Sequence, residues 1–275
     1  MSDDQLQEYL EFAKGLAKEA GEIMLRYFLA NDIGTIEKED KTLVTLADTE
    51  INNLVIKRIQ LKHPNHSVHG EEASIHIANA PFTWVCDPVD GTLPFAKGLP
   101  ISTFSIGLVD DTGQSVVGVA FDPYQDRLYT AIKGKGAFLN GQKIQVSKRE
   151  TLEGAFVDNE LWKNEKEGVS FLDPREILAN QGAVVTSQCS AVIMGCLVAE
   201  GLYDVMLFGQ SKPEDIAALK VIVEEAGGKV TSLSGLDQRY DEKIYGAVVS
   251  NGAIHPNVLD ALKDINYQSK YVDHK

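Results

Sequence analysis

Apolar residues recur at spacings of three and four near the start of the chain. Leu6, Leu10 and Ala13 begin this series, which predicts an amphipathic helix over residues 4–30. A second series of the same kind predicts a helix over residues 47–61, which must end before the following His-Pro pair because proline disfavours a helical residue before it. The chain therefore begins with two helices that each present one apolar face.

The middle of the chain has the pattern of short strands. Residues 101–109, 115–121 and 127–132 are rich in apolar and β-branched side chains and are separated by turn residues. Asn140-Gly141 is a strong signal for a hairpin turn. Strands joined by turns this short pair antiparallel, so the pattern predicts an antiparallel sheet.

Beyond residue 147 predicted strands alternate with predicted helices. One of these helices spans residues 211–226, and Asp215 falls in its first turn, where the helix dipole favours an ionised carboxylate. The change of pattern divides the chain into an α+β half, residues 1–147, and an α/β half, residues 148–275. We expect the two halves to form a layered α/β/α/β/α sandwich.

The most informative stretch begins with an apolar run over residues 82–86, which predicts a buried strand that stops at Asp87-Pro88, because proline cannot extend a sheet ladder. Asp87 and Asp90 lie close enough to repel each other unless a cation separates them, and carboxylate oxygens suit Mg²⁺, Ca²⁺ or Mn²⁺. Gly91 allows close approach of a ligand, and the N–H groups after it can bind an anion. The stretch indicates phosphate chemistry with a metal, or else a surface turn with solvated acids.

The formal net charge of −14 restricts the partners of the protein. Such an acidic surface disfavours nucleic acid and anionic membranes, although bound metal ions would still allow an anionic substrate. No apolar run approaches the roughly 18 residues of a membrane span. The N-terminus, Met1-Ser2-Asp3-Asp4, is acidic and has no apolar targeting core, which favours a cytoplasmic protein.

The cysteines do not suggest chemistry of their own. Cys86, Cys189 and Cys196 are too few and odd in number for a disulfide framework. A thiol phosphatase needs an arginine shortly after its cysteine, and none stands six positions after any of the three. Buried, reduced thiols are the simpler interpretation.

Two other patterns are set aside. Gly134-Lys135-Gly136 has the glycines of a phosphate-binding loop but lacks the rest of the P-loop motif. His63, His66 and His69 could suggest zinc, but the proline after His63 breaks the helix that would align them, so we interpret them as loop residues.

Three separated motifs together resemble the inositol monophosphatase superfamily of metal-dependent, lithium-sensitive phosphatases. They are Gly70-Glu71-Glu72, Asp87-Pro88-Val89-Asp90-Gly91-Thr92, and Pro213-Glu214-Asp215-Ile216-Ala217-Ala218 followed by Glu225-Ala226-Gly227-Gly228. The resemblance covers nearly the whole chain. It implies the layered α/β/α/β/α fold of the inositol monophosphatase and fructose-1,6-bisphosphatase type.

The resemblance also implies a set of metal ligands, most of them in the first half of the chain. Glu71, Asp87 and the carbonyl of Val89 would hold one Mg²⁺, and Asp87, Asp90 and Asp215 would hold a second. A third, weaker ion would share Glu71. The expected cofactor is therefore Mg²⁺, two or three ions per active site.

The same resemblance assigns catalytic and phosphate-binding roles. The N–H groups of Gly91 and Thr92 would hold the phosphate. Glu71 and Thr92 would be catalytic, and Thr92 would orient and deprotonate the attacking water. The carboxylate that usually stands behind this threonine is replaced by Thr42. We therefore nominate Asp40, in a nearby D-x-[ST]-x-V-T-x-x-D pattern, to back Thr92; the alternative is that Asp40 is an exposed loop acid.

Substrate-side residues are expected in the second half, just before the predicted helix at residue 191 and around residues 204–212. The candidates are Ser187, Gln188, Ser190, Asp204, Gln210 and Lys212. Each has a purely structural role as its alternative. The glutamate that contacts inositol in the family has no clear counterpart, because Phe208, Gly209 and Gln210 occupy that region.

The leading functional expectation is a Mg²⁺-dependent phosphomonoesterase that hydrolyses an inositol monophosphate or a sugar phosphate with metal-activated water. The same chemistry would serve a 3′(2′),5′-bisphosphate nucleotidase or a histidinol-phosphatase. An alternative of another class is a non-catalytic regulatory protein on the same fold. Members of the family often form homodimers, so the resemblance implies a homodimer here as well.

Overall fold

The computed structural model describes residues 2–30, 33–37, 43–161 and 172–263. Seven α-helices lie in these ranges. They are α1 (Asp3–Tyr27), α2 (Leu46–Lys62), α3 (Thr92–Ala96), α4 (Leu172–Asn180), α5 (Ala191–Ala199), α6 (Ala217–Glu225) and α7 (His255–Leu262). None of the helices in the described ranges is long and apolar enough to cross a membrane.

The strands of the described residues form a two-stranded, a seven-stranded and a five-stranded sheet. They are β1 (Ile36–Glu37), β2 (Leu43–Val44), β3 (Ser67–Gly70), β4 (Phe82–Asp90), β5 (Thr103–Asp110), β6 (Ser115–Asp122), β7 (Arg127–Ile132), β8 (Gly136–Leu139), β9 (Gln142–Lys143), β10 (Phe156–Glu160), β11 (Val184–Thr186), β12 (Val205–Phe208), β13 (Lys229–Thr231) and β14 (Ala247–Ser250).

The seven-stranded sheet has the order β3-β4-β5-β6-β7-β8-β9. Only β3 and β4 are parallel, and every other neighbouring pair is antiparallel. The predicted hairpin at Asn140-Gly141 is confirmed, since it joins β8 to β9. The five-stranded sheet has the order β11-β10-β12-β14-β13 and is mixed, with β10 parallel to both of its neighbours.

Three hydrophobic cores among the described residues hold five layers together. One core joins α1 and α2 to the seven-stranded sheet, and another joins α4 and α7 to the five-stranded sheet. The central core holds α5 and α6 between the two sheets. The predicted α/β/α/β/α layering is therefore confirmed. The division at residues 147 and 148 stays a prediction, although the two large sheets lie on either side of it.

The prediction that the strand stops at Asp87-Pro88 is wrong. β4 continues through Pro88 to Asp90, and its pairing with β5 shifts between Asp87 and Asp90. Asp87 pairs with Ser105 and Asp90 with Thr103, so β4 has one residue more than β5 over this interval. A bulge of this kind tolerates proline because the ladder is already interrupted there.

The helix predicted over residues 211–226 is divided in two. A short 3-10 turn spans Pro213–Asp215, and α6 begins only at Ala217. Ile216 lies between them with φ −116° and ψ −25°. Asp215 therefore precedes α6 instead of lying in its first turn, and the turn aims it toward β4.

Candidate active site

Three carboxylates from separate parts of the chain meet where the bulge of β4 faces the 3-10 turn. Asp87, Asp90 and Asp215 each place a carboxylate oxygen within 4.8 Å of the others. All three side chains are buried. The three acids that the sequence nominated for the second metal are thus adjacent in the fold.

The electrostatics of this cluster suit a bound cation. Burial, and then the charges of Glu71 and its fellow acids, hold the pKa of Asp87 well above its ordinary value, and burial does the same for Asp215. Burial raises the pKa of Asp90 to about 6, against the opposing effect of a hydrogen bond from Ser190. The Oδ2 atom of Asp215 is buried and has no hydrogen-bond partner. A divalent ion would reduce the repulsion among the three carboxylates and would give the unpartnered oxygen a ligand role, so the residues fit a metal.

Val89 and Thr92 lie beside the first of these acids. Asp87 Oδ1 accepts a hydrogen bond from the Val89 N–H at 2.9 Å, and the Thr92 hydroxyl donates to the Val89 carbonyl at 3.2 Å. The predicted backbone ligand therefore faces the predicted catalytic threonine. Between them, Gly91 has φ +79°, a conformation that favours glycine, and a Cβ there would come within 3.0 Å of the Ser190 side chain.

Asp90 ties the seven-stranded sheet to α5. Its carboxylate accepts hydrogen bonds from the Ser190 hydroxyl at 2.5 Å and from the N–H groups of Ala191 and Val192 at 3.1 and 2.9 Å. These are donors of the N-terminal turn of α5, which need an acceptor outside the helix. Ser190, a predicted substrate residue, therefore has its hydroxyl bound to a predicted metal ligand.

Glu160 holds the same loop from the other sheet. The Glu160 carboxylate accepts hydrogen bonds from the N–H groups of Gln188 and Cys189 at 2.8 and 2.6 Å. Together Glu160 and Asp90 hold the segment from Gln188 to Val192 at both ends. The sequence reasoning missed Glu160, because no motif marks it.

Glu71 lies on another side of the site. It belongs to a second acidic group, with Asp48 and Glu72, whose carboxylate oxygens are also within 4.8 Å of one another. Its Oε1 accepts a hydrogen bond from the Lys212 ammonium at 2.7 Å. Lys212, predicted to contact substrate, thus contacts a predicted metal ligand.

Asp48 is a second residue that the sequence reasoning missed. Its Oδ1 accepts a hydrogen bond from the Thr92 hydroxyl at 3.4 Å, and its Oδ2 accepts from the Thr45 N–H at 2.8 Å and the Thr45 hydroxyl at 2.5 Å. Burial raises its pKa to about 7. Asp40, the predicted partner of Thr92, lies outside the described residues. The spacing Thr45-x-x-Asp48 matches a capping box for α2. Because a capping box uses only one carboxylate oxygen of Asp48, this spacing gives no reason to expect that the other oxygen contacts Thr92.

The structure does not bring Asp204 to this site. Asp204 lies just before β12, and its carboxylate accepts hydrogen bonds from Ser147, Arg149 and the N–H of Phe156, the first residue of β10. The other substrate-side candidates precede α5 or follow the far end of β12. Among them Ser187 is exposed, whereas Gln188 and Gln210 are half-buried. β12 separates Asp204 from the candidates Gln210 and Lys212 that follow it, so closeness in sequence did not mean closeness in the fold.

Both patterns set aside from the sequence have structural explanations. Glu225 accepts hydrogen bonds from the N–H groups of Gly134 and Gly136 at 2.6 and 2.7 Å, so a carboxylate already occupies these glycine donors. His63 and His66 stack with ring centroids 4.9 Å apart, and the Trp84 indole N–H donates to His66 Nδ1 at 3.1 Å. They form part of an aromatic cluster.

Comparison with known proteins agrees with the resemblance seen in the motifs. The model of the inositol monophosphatase family matches residues 5–267. A fructose-1,6-bisphosphatase/inositol-1-monophosphatase from Aquifex aeolicus is 34% identical, covering 94% of this chain and 97% of its own. Inositol monophosphatase 1 from Bos taurus is also 34% identical, covering 84% and 86%.

Solved structures agree in the fold. The inositol monophosphatase from Anabaena (Nostoc) sp. PCC 7120 has a TM-score of 0.84 at 28% identity and covers 96% of this chain and 99% of its own. The extragenic suppressor protein suhB from Bartonella henselae has a TM-score of 0.86 at 25% identity and covers 94% and 99%.

The shared fold and the named relatives define the class of this protein, a hydrolase of phosphoric monoesters. Within that class, the chain belongs to the inositol monophosphatase family.

Proposed function

We propose that this phosphatase uses Mg²⁺ to hydrolyse an inositol monophosphate or a sugar phosphate. The observation that carries the proposal is the meeting of Asp87, Asp90 and Asp215, three buried carboxylates at the positions of the family motifs, with one oxygen left unpartnered. The names of the relatives from Aquifex aeolicus and Bos taurus support both substrate classes.

We assign the metal ligands as the motifs suggest: Asp87, Asp90 and Asp215 around one ion, and Glu71, Asp87 and the Val89 carbonyl around another. When bound, the ions would supply positive charge against the phosphate and Lewis acidity toward the oxygens of the ester. Two or three ions per site is part of the proposal, and calorimetric titration with Mg²⁺ counts them.

The remaining steps belong to the chain's own groups. The N–H groups of Gly91 and Thr92 would bind the phosphate oxygens in this proposal. The Thr92 hydroxyl, whose proton points to Asp48 or to the Val89 carbonyl, keeps a lone pair free to accept a hydrogen bond from the attacking water. A proton taken up at Thr92 Oγ1 could then pass to Asp48 Oδ1. The pair would thereby orient the water and remove its proton.

The experiment is a panel of phosphate esters, each assayed for phosphate release with Mg²⁺ and with a chelator. The panel contains inositol 1-phosphate, fructose 1,6-bisphosphate, 3′-phosphoadenosine 5′-phosphate and histidinol phosphate. We expect release from the first two that stops with the chelator and is lost in Asp215→Asn. The exposed acid Asp260 provides the matched control, since Asp260→Asn should keep full activity.

Other outcomes of the panel are equally informative. Selective release from the nucleotide or from histidinol phosphate would keep the chemistry and overturn the substrate class. Silence on every ester, with Mg²⁺ shown to bind, would favour the regulatory protein. A homodimer also stays part of the proposal, and sedimentation velocity measures it directly.

A further inference from the structure

Lys212 carries a positive charge into the acidic site. Its ammonium lies 2.7 Å from Glu71 Oε1, and the two side chains are only 28% and 9% exposed. Burial alone would lower the pKa of Lys212, but the charges of Glu71 and Asp215 outweigh it and the pKa is raised. The same ammonium opposes the upward shift of the pKa of Asp87 and Asp215. Lys212 is thus a resident cation among the predicted metal ligands.

The backbone of Lys212 is held in this position from several sides. The 3-10 turn Pro213–Asp215 begins directly after it. The next acid, Glu214, lies 3.5 Å from His69 Nε2, and its carbonyl accepts a hydrogen bond from the Ser105 hydroxyl at 3.2 Å. Two contacts, Lys212 with Glu71 and Glu214 with His69, therefore join the end of β3 to the turn that supplies Asp215. Displacing the ammonium from Glu71 would therefore move the Lys212 side chain rather than its backbone.

Glu71 cannot serve two cations equally well. A buried carboxylate bound to an ammonium at 2.7 Å has its charge compensated, and a divalent ion that uses Glu71 must share it or displace the ammonium. Ions of like sign at such short range also repel each other, and the repulsion is strong where water is scarce. An ion that uses only Asp87, Asp90 and Asp215 does not meet this competition directly.

We propose that the Lys212 ammonium competes with a metal ion for Glu71. It thereby weakens the binding of the ion that uses Glu71, and it stabilises the chain while that ion is absent. The inference rests on the proposed function in one respect, that Glu71 is a metal ligand. It assigns to Lys212 a positioning role toward Glu71, where the sequence had suggested contact with substrate.

The test is calorimetric titration of the whole chain with Mg²⁺. Lys212→Gln should bind the weakest ion about tenfold more tightly than wild type, because one nearby positive charge is removed. Lys212→Arg, which keeps the charge, should stay within about threefold of wild type. The matched control is Lys220→Gln, since Lys220 is also a lysine paired with a glutamate, Glu224, and it should leave the affinity unchanged.

A double-mutant comparison isolates the contact. In a Glu71→Gln background the Lys212→Gln substitution should change Mg²⁺ affinity much less than it does in wild type, because the carboxylate for which Lys212 and the ion compete is already absent. A second readout needs no metal: in chelator, Lys212→Gln should unfold at a lower temperature than wild type, since Glu71 loses its ion pair with Lys212. Added Mg²⁺ should close that gap.

Three results would overturn the inference. One is unchanged or weaker Mg²⁺ binding by folded Lys212→Gln at an unchanged KM, with folding checked by circular dichroism. Another is an unchanged affinity together with a raised KM, which would return Lys212 to substrate binding. The third is an equal gain in the Glu71→Gln background. If Asp215→Asn binds Mg²⁺ as wild type does, the proposed metal site itself fails, and that outcome is separate from the other three.

Discussion

At the scale of single residues, two carboxylates of this site, Asp48 and Asp90, each serve two structures at once. Asp48 caps α2 through one oxygen and meets Thr92 with the other. Asp90 belongs to the acidic cluster and also accepts hydrogen bonds from the first turn of α5. This double use explains how the ionised form of each acid is tolerated in a buried position, since hydrogen-bond donors compensate part of its charge.

The role of Asp48 leads to a prediction about activity. Asp48→Asn should lower phosphate release by about 10²-fold, because an amide cannot take the proton that Thr92 passes on. The affinity for Mg²⁺ should change far less than the rate. Steady-state assays on the active ester, with calorimetry in parallel, measure both quantities.

The control separates catalysis from capping. Thr45→Val removes the hydroxyl that donates to Asp48 Oδ2 but leaves the carboxylate, and it should cost about 1 kcal/mol of stability with little effect on rate. Equal losses of rate in Thr45→Val and Asp48→Asn would mean that Asp48 acts only as a helix cap.

At the scale of elements, the position of Asp215 depends on how closely α6 approaches the seven-stranded sheet. Gly107 and Gly118 are partners on β5 and β6. A Cβ at Gly107 would lie 2.9 Å from the carbonyl carbon of Ala217, and one at Gly118 would lie 2.5 Å from the carbonyl oxygen of Ala218. Two strand glycines thus let the helix backbone lie directly on the sheet, one turn after Asp215.

Gly118→Ala tests this arrangement. The added methyl group should push α6 outward and lower the free energy of unfolding by about 1–3 kcal/mol. Because Asp215 moves with α6, the affinity for Mg²⁺ should fall as well. Denaturant unfolding and calorimetry measure the two effects.

The comparison is Gly15→Ala, in an exposed part of α1 where a Cβ would meet nothing within 4 Å. That substitution should stabilise the chain, by up to about 1 kcal/mol, since alanine is the better helix former. Full stability and full Mg²⁺ affinity in Gly118→Ala would show that α6 does not need the close approach.

At the scale of the whole molecule, buried groups of opposite kinds make stability depend on pH in two directions. His255 is buried between the hydroxyls of Thr231 and Ser250, and burial lowers its pKa to about 4. Asp158 is buried on β10 with one oxygen unpartnered, and burial, followed by the charge of Glu160, raises its pKa to about 8. The first group resists protonation in the fold and the second resists ionisation.

The signs follow from proton binding. Unfolded histidine takes up its proton below about pH 6.5, whereas folded His255 takes it up only below about pH 4. Its contribution to the free energy of unfolding is therefore lost as pH falls between these values. Unfolded aspartate ionises above about pH 3.9, whereas folded Asp158 keeps its proton to about pH 8, so its contribution is lost as pH rises. We call these two pH dependences the acid limb (His255) and the alkaline limb (Asp158). Each limb changes the free energy of unfolding by at most about 1.4 kcal/mol per pH unit.

Two variants should remove one limb each. Asp158→Asn should gain stability relative to wild type as pH rises from about 4 to about 8, because the amide has no proton to lose. His255→Asn should be less stable at pH 7, with a deficit that shrinks toward pH 4. Urea unfolding across this range measures both differences, and parallel curves for a variant and wild type would contradict the assignment of that limb.

The sequence by itself determined the local structure and the kinds of chemistry available. Apolar periodicity indicated α1 and α2 to within a few residues, and Asn140-Gly141 indicated the hairpin, because backbone preferences and side-chain spacing act over a few positions. The motif from Asp87 to Thr92 pointed to metal and phosphate because acids three residues apart remain neighbours in most backbone conformations.

Only the tertiary structure decided which distant groups meet. The bulge that carries β4 past Pro88 depends on pairing with β5, and the break before α6 depends on how the 3-10 turn packs against β4. The contact of Lys212 with Glu71 joins residues 141 positions apart. Asp204 looked equally suitable in sequence, yet β12 carries it to the other end of the sheet. Such contacts are set by strand order and layer packing, which no local pattern specifies.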